Sequence, residues 1–128
     1  MYFQKNKWTT AKKQEYNGLR YDSGFEASYA AELDLRVKGK DIKSWERQIT
    51  IPLTVNGYLV CNYKIDFVVY HNDGTVEYVE TKGYAHNTWK LKWKLFEALY
   101  SDKPNIILTV VKQRNNFNIR KLKKVKII

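Results

Sequence analysis

Two acids and a lysine lie close together in the segment 63–83, YKIDFVVYHNDGTVEYVETKG. Its two apolar runs read as strands joined by a turn at His71-Asn72-Asp73-Gly74. Side chains alternate along a strand, so Lys64, Asp66 and Val68 are expected on one face and Tyr78, Glu80 and Lys82 on one face of the next. A three-residue loop, Asn72-Asp73-Gly74, with glycine in the left-handed position pairs His71 with Thr75. Counting away from that pair sets Asp66 opposite Glu80, with Cβ atoms about 5 Å apart. Like charges so opposed destabilise a sheet. A hard divalent cation such as Mg²⁺, bound by one or two carboxylates plus waters and phosphate oxygens, would compensate. Such an ion acidifies water and stabilises charge developing on a phosphate, and a neighbouring lysine can orient the attacking water. Two acids and a lysine are therefore a kit for hydrolysing a phosphodiester.

The opposing reading makes these charges ornaments of a solvated face. Against it, Asp66 sits within IDFVVY, and aspartate is disfavoured in strands. The register is the vulnerable step. A two-residue Asp73-Gly74 loop would slip it by one residue and send the acids to opposite faces.

Glu26 is the third acid. With Ser23 three residues before it, it completes a capping-box pattern at the start of a helix. It also begins the face carrying Ala30, Leu33 and Val37, from which a carboxylate could reach a metal at the sheet's end. Both roles are open on the pattern alone.

The elements that must carry these groups follow from periodicity and punctuation. Residues 23–38 read as a helix that stops at Gly39. Residues 42–53, 58–70 and 75–82 read as strands, with a turn at Val55-Asn56-Gly57. Residues 88–100, TWKLKWKLFEALY, read as a second helix: Leu91, Leu95 and Leu99 repeat every four residues, broadened by Trp89, Trp93 and Phe96. Residues 105–111, NIILTVV, read as a strand buried on both faces. The expected fold is α/β, in the order α-β-β-β-α-β, a mixed sheet with helices packed on it. One domain of 128 residues divides into a basic arm (1–15), a core (16–111) and a basic tail (112–128).

Composition narrows the partners. The chain carries 23 Lys+Arg against 13 Asp+Glu, a net charge of +10. Residues 1–20 contribute +4, residues 21–87 −3, residues 88–111 +2 and residues 112–128 +7. Basic ends around a mildly acidic middle suit a polyanion, and nucleic acid is the polyanion expected. Solubilising lysines are the plainer alternative. A membrane partner is not expected, because no apolar run reaches the ~18 residues of a spanning helix and no signal-type segment opens the chain. A single cysteine, Cys61, excludes an intramolecular disulfide, and with only two histidines a structural zinc site is not expected. The expected setting is a reducing cytoplasm.

An acid on a first helix, an aspartate at a strand end and E-x-K on the next strand make a pattern with a known counterpart. The stretches YNGLRYDSGFEASYAAEL, IKSWERQITIPL, YKIDFVVYHNDGTVEYVETKG and TWKLKWKLFEALY, in that order, resemble the PD-(D/E)XK nuclease superfamily. They look most like its phage-encoded endonuclease branch, including endonucleases that resolve four-way (Holliday) junctions. The resemblance covers about residues 16–111. It implies a restriction-endonuclease-like core and a Mg²⁺- or Mn²⁺-dependent endodeoxyribonuclease acting in a host cytoplasm. It further implies that Asp66, Glu80 and the Thr81 carbonyl ligate the metal, that Lys82 positions or activates water, and that Glu26 joins through a water or a second metal. Ile65 departs from the pattern, standing where the family often has proline. Gln48, in WERQ, matches a polar position near the site; it either contacts DNA or fills a ladder position.

DNA would be gripped through phosphates. Lys90, Lys92 and Lys94 on the second helix, and Arg120, Lys121, Lys123, Lys124 and Lys126 in the tail, are natural phosphate contacts. Lys12, Lys13 and Arg20 can act likewise. A snorkelling surface helix and a solvated tail are the bland counterparts. Nothing resembles a base-reading helix-turn-helix or zinc finger, which points to DNA shape over a long sequence. Cutting two strands of a junction would take a homodimer. A site-specific restriction or transposition endonuclease and a non-catalytic nucleic-acid-binding module are the alternative functions.

Overall fold

The computed structural model describes residues 14–16, 19–21, 24–82 and 87–112. Two short strands, β1 (Gln14–Tyr16) and β2 (Leu19–Tyr21), pair antiparallel. Helix α1 (Gly24–Lys38) follows, then strands β3 (Ser44–Val55), β4 (Tyr58–Tyr70) and β5 (Val76–Lys82), helix α2 (Asn87–Tyr100) and strand β6 (Ile106–Lys112). The core is the expected α-β-β-β-α-β, a mixed α/β architecture. Its sheet runs β3-β4-β5-β6, antiparallel through β5 and parallel between β5 and β6. A parallel neighbour needs a crossover, and α2 provides it.

Each helix covers one face. Ala30 and Leu33 of α1 pack on Phe67, Val69 and Val79. Trp93 and Phe96 of α2 pack with Ile51, Leu53, Tyr63, Ile65 and Val68. Trp45 fixes α1 to β3 by donating its indole N–H to Asp34 Oδ1 at 2.9 Å and by meeting Phe67 edge-on.

Four sequence expectations need correction. Residues 14–21 contain a small two-stranded sheet and are not merely an arm. The left-handed residue ending α1 is Lys40 (φ 64°), not Gly39. Asp41 N–H reaches back to Arg36 C=O at 2.8 Å and Lys40 N–H to Val37 C=O at 3.0 Å, the paired bonds of a Schellman stop. Strand β6 is an edge of the four-stranded sheet and only half-buried, with Ile107 exposed.

The fourth concerns β3 and β4. Strict alternation would put Trp45, Ile49, Ile51 and Leu53 on one face, yet Trp45 packs with α1 and the other three with α2. In β4, Tyr63 and Ile65 face α2 while Phe67 and Val69 face α1. Both strands change phase at one level, between the pairs Arg47↔Phe67 and Ile49↔Ile65, where Gln48 takes φ 52°. Lys64 and Val68 therefore do not share a face with each other: Val68 is buried against α2 and Lys64 is exposed.

Candidate functional site

The β4–β5 loop delivers the register on which the acids depend. His71 N–H donates to Thr75 C=O at 2.9 Å, Gly74 N–H closes on His71 C=O at 3.1 Å, and Gly74 takes φ 92°. Asp73 Oδ1 accepts Thr75 N–H at 2.9 Å, which fastens the turn. The ladder then runs from Tyr70↔Val76 to Phe67↔Val79. The next level is Asp66 and Glu80.

At that level side chains replace the ladder. Asp66 N–H donates to Glu80 Oε1 at 3.2 Å, and Asp66 Oδ2 accepts both the backbone N–H and the hydroxyl of Thr81 at 2.9 Å. Each carboxylate thus bonds the other residue's strand. Lys82 Nζ lies 3.2 Å from Glu80 Oε2. These donors explain how two acids can face each other where β4 and β5 part, since a charged acceptor gains most from N–H groups.

Compensation is incomplete at Glu80. Its side chain is 1 % exposed, and its pKa is pushed up to about 7, first by burial and then by the Asp66 charge, with Lys82 pulling the other way. A carboxylate buried beside a second one, with a single ammonium for balance, is a donor set that a hard cation fits. Asp66 and Glu80 would hold such an ion. Thr81, 8 % exposed and paired with Val111 in the parallel ladder, stands between Glu80 and Lys82.

Glu26 is 5 % exposed in the first turn of α1, among residues that pack on the Phe67 face. Among the described residues no three of His, Cys, Asp and Glu group to hold a metal. The carboxylate pair that the hydrogen bonds define is Asp66 with Glu80. Ser23, the expected cap, lies outside the described residues.

Gln48 does not fill a ladder position. It stands at the level of Asp66, in the left-handed region, where no β3–β4 pair forms. A non-glycine residue held there in mid-strand stores strain, and such strain concentrates at working sites.

One family model matches residues 5–115. The chain belongs to that family, a protein family of unknown function, DUF1064. No curated protein matches it significantly. The DUF1064 match spans Glu26, Gln48, Asp66, Glu80, Lys82 and all of α2, and it ends before Arg120.

Two residues at this site escaped the sequence reading. Tyr63 is 3 % exposed; its hydroxyl accepts the Trp89 indole N–H at 2.9 Å and also meets the Glu80 carboxylate. Burial and the Glu80 charge push the phenol well above its ordinary range. Trp89, in the first turn of α2, places its ring 4.8 Å from Lys82 Nζ. Both looked like core aromatics. Only the lysine's position reveals the second role.

Of the expected phosphate contacts, Lys90, Lys92 and Lys94 lie on α2, each half-buried, with Leu91 between them 70 % exposed. Arg20 falls in β2, opposite Glu15. Lys12, Lys13, Arg120, Lys121, Lys123, Lys124 and Lys126 lie outside the described residues. Among the described residues no helix is long and apolar enough to cross a membrane.

Proposed function

We propose that this DUF1064 chain is a Mg²⁺- or Mn²⁺-dependent endodeoxyribonuclease of the PD-(D/E)XK type, selective for branched or distorted DNA. The observation that carries it is the meeting of Asp66 and Glu80 where β4 and β5 part, with Lys82 Nζ 3.2 Å from Glu80 Oε2. The net charge of +10 supplies attraction to the polyanion.

Asp66 and Glu80 hold the divalent ion, with the Thr81 carbonyl as the further ligand the resemblance implies. The bound ion supplies Lewis acidity at the scissile phosphate and lowers the pKa of water beside it. Lys82 hydrogen-bonds the attacking water and offsets charge growing on the phosphoryl oxygens. The water oxygen adds to phosphorus and gives up a proton to solvent, the bond to the leaving sugar oxygen breaks, and that oxygen takes up a proton from solvent. Lys90, Lys92 and Lys94 hold phosphates along the duplex arms, the basic tail adds non-specific grip, and Gln48 stands beside the reacting level. Glu26 contributes through water or a second ion. Cutting both strands of a junction takes two such sites, hence a homodimer, in a cytoplasm.

A second reading has a specific observation in its favour. The Asp66 and Glu80 carboxylates bond each other's strands, so the acids also have a structural occupation. On that reading the protein binds nucleic acid without cutting it. One experiment separates the two. Labelled four-way junction, linear duplex and single strand are incubated with the protein in Mg²⁺ or in EDTA, beside Asp66→Asn. Metal-dependent products concentrated on the junction, and abolished in the variant with binding retained, support the proposal. Fixed cuts in linear duplex favour a site-specific restriction or transposition enzyme. Retarded but intact DNA overturns catalysis.

A further inference from the structure

We propose that Trp89 and Tyr63 are positioning residues that hold the Lys82 ammonium and the Glu80 carboxylate in one fixed arrangement; this deepens, and rests on, the nuclease reading above. Lysine is a poor instrument for placing a charge. Its flexible stem carries considerable rotamer entropy, and the Lys82 side chain is 23 % exposed, within reach of water. Here the ammonium has two anchors. Glu80 Oε2 draws it at 3.2 Å, and the Trp89 ring faces it at 4.8 Å.

Trp89 is itself fixed. Its indole N–H is spent on Tyr63 Oη at 2.9 Å, and its ring stacks on Trp93 with centroids 5.9 Å apart and planes 24° apart. Tyr63 is buried and wedged against Phe96 at 5.3 Å, and burial, then the nearby Glu80 charge, push its phenol pKa up. Three contacts link the four groups in a circuit, Glu80 to Lys82, Lys82 to Trp89 and Trp89 to Tyr63, and the Tyr63 phenol in turn feels the Glu80 charge. A purely apolar core would gain nothing from an indole N–H and a phenol aimed at each other beside a buried carboxylate. Leucine at position 89 would cover Trp93 but would give Lys82 neither a π-face nor a tie to Tyr63. The circuit also joins α2 to the sheet's end, so the helix bearing Lys90, Lys92 and Lys94 is referenced to the reacting residues.

Full-length protein is compared with Trp89→Leu, Trp89→Phe and Tyr63→Phe, all in Mg²⁺ on the junction substrate, and the Lys82 ε-methylene protons are followed by NMR in metal-free protein. The expected signature in wild type is an upfield ring-current shift of those protons, kept in Trp89→Phe and lost in Trp89→Leu. In Trp89→Leu kcat falls about tenfold with KM within about twofold, and Trp89→Phe recovers to within about threefold, the scale of a partly desolvated cation–π contact. Tyr63→Phe, which leaves the indole N–H without its acceptor, falls between them. Ordinary Lys82 shifts in the wild type overturn the tether, whether or not Trp89→Leu folds. Equal kcat in Trp89→Leu and wild type overturns its catalytic role. Wild-type protein that cuts no DNA in Mg²⁺ overturns the nuclease reading and the catalytic half of this proposal together, while the NMR result stands on its own.

Discussion

Gln48 and Asp66 stand opposite each other at the single level between Ser44 and Leu53 where the β3–β4 ladder has no pair. Gln48 is left-handed there, and both strands exchange their buried and exposed faces across it. The switch lets one long hairpin serve two helices: Trp45, Phe67 and Val69 against α1, then Ile49, Ile51, Leu53, Tyr63 and Ile65 against α2. It also separates Asp66 from regular pairing, freeing its carboxylate to turn to Thr81.

A left-handed conformation costs a non-glycine residue roughly 1–2 kcal/mol, and glycine in an ordinary strand position costs roughly 0.5–1 kcal/mol. Gln48→Gly is therefore expected to be neutral or stabilising, while Thr50→Gly, two residues along the same strand, loses about 1 kcal/mol. Gln48→Val, β-branched, loses more than either. Urea unfolding of the three variants checks the order, and a loss in Gln48→Gly as large as in Thr50→Gly would refute the strain.

Lys40 offers the same physics at a helix end. It occupies the left-handed position of the α1 stop at φ 64°, and it is exposed. Lys40→Gly should raise stability by about 0.5–1 kcal/mol, and Gly39→Ala should be neutral or mildly stabilising, because position 39 is not the left-handed one; a clear loss in Gly39→Ala would make 39 the left-handed residue. Thermal melts of the pair decide which residue ends the helix.

These details show what could and could not be read beforehand. The Asp66–Glu80 register was legible as one of two, because Asn72-Asp73-Gly74 suits a three-residue loop and Asp73-Gly74 a two-residue one; the bond from His71 N–H to Thr75 C=O decides for the first. The element order was legible from the Ala30/Leu33 and Trp93/Phe96 faces and from turn chemistry, although Leu91, counted in the second stripe, is 70 % exposed while Leu95 and Leu99 pack. The phase switch was not: glutamine carries no left-handed preference, so nothing at position 48 marks it, and Lys64 was assigned to the wrong face for that reason. Strands β1 and β2, three residues each, are too short for periodicity, although Asn17-Gly18 between them is a hairpin dipeptide. Tyr63 and Trp89 were hidden by their own hydrophobicity. A buried aromatic reads as core until the polar groups at its rim are located.

If DNA lies along α2, its lysines set the salt dependence. Each of Lys90→Ala, Lys92→Ala and Lys94→Ala that removes a phosphate contact should reduce the magnitude of the slope of log K against log[salt] by about 0.9 on duplex arms. Affinity should fall to a similar degree across sequences, because phosphate contacts carry no base information. Anisotropy titrations at several salt concentrations check this. An unchanged slope in all three variants would move the DNA path off the helix.

Glu80 should make stability fall as the solution becomes neutral. Its folded-state pKa, pushed up to about 7 from an ordinary 4.5, means that the folded protein holds this proton more tightly than the unfolded chain does. The stabilisation so gained is complete below about pH 4.5 and is lost as pH rises through about 7. For a side chain this buried, the difference amounts to roughly 3 kcal/mol. Glu80→Gln keeps the shape without the charge. Measured against wild type in EDTA, it should gain stability steadily from pH 4.5 to pH 8, reaching up to roughly 3 kcal/mol, while groups not coupled to Glu80 cancel in the comparison. Mg²⁺ should then distinguish the two proteins. It raises the wild-type melting temperature at pH 8, where the carboxylate is ionised, and does so less at pH 5, because binding must displace the proton. It should leave Glu80→Gln nearly unmoved at either pH. Equal Mg²⁺ stabilisation of both proteins would mean that the ion binds elsewhere, and a flat difference between them in EDTA would mean that Glu80 is already ionised at no cost.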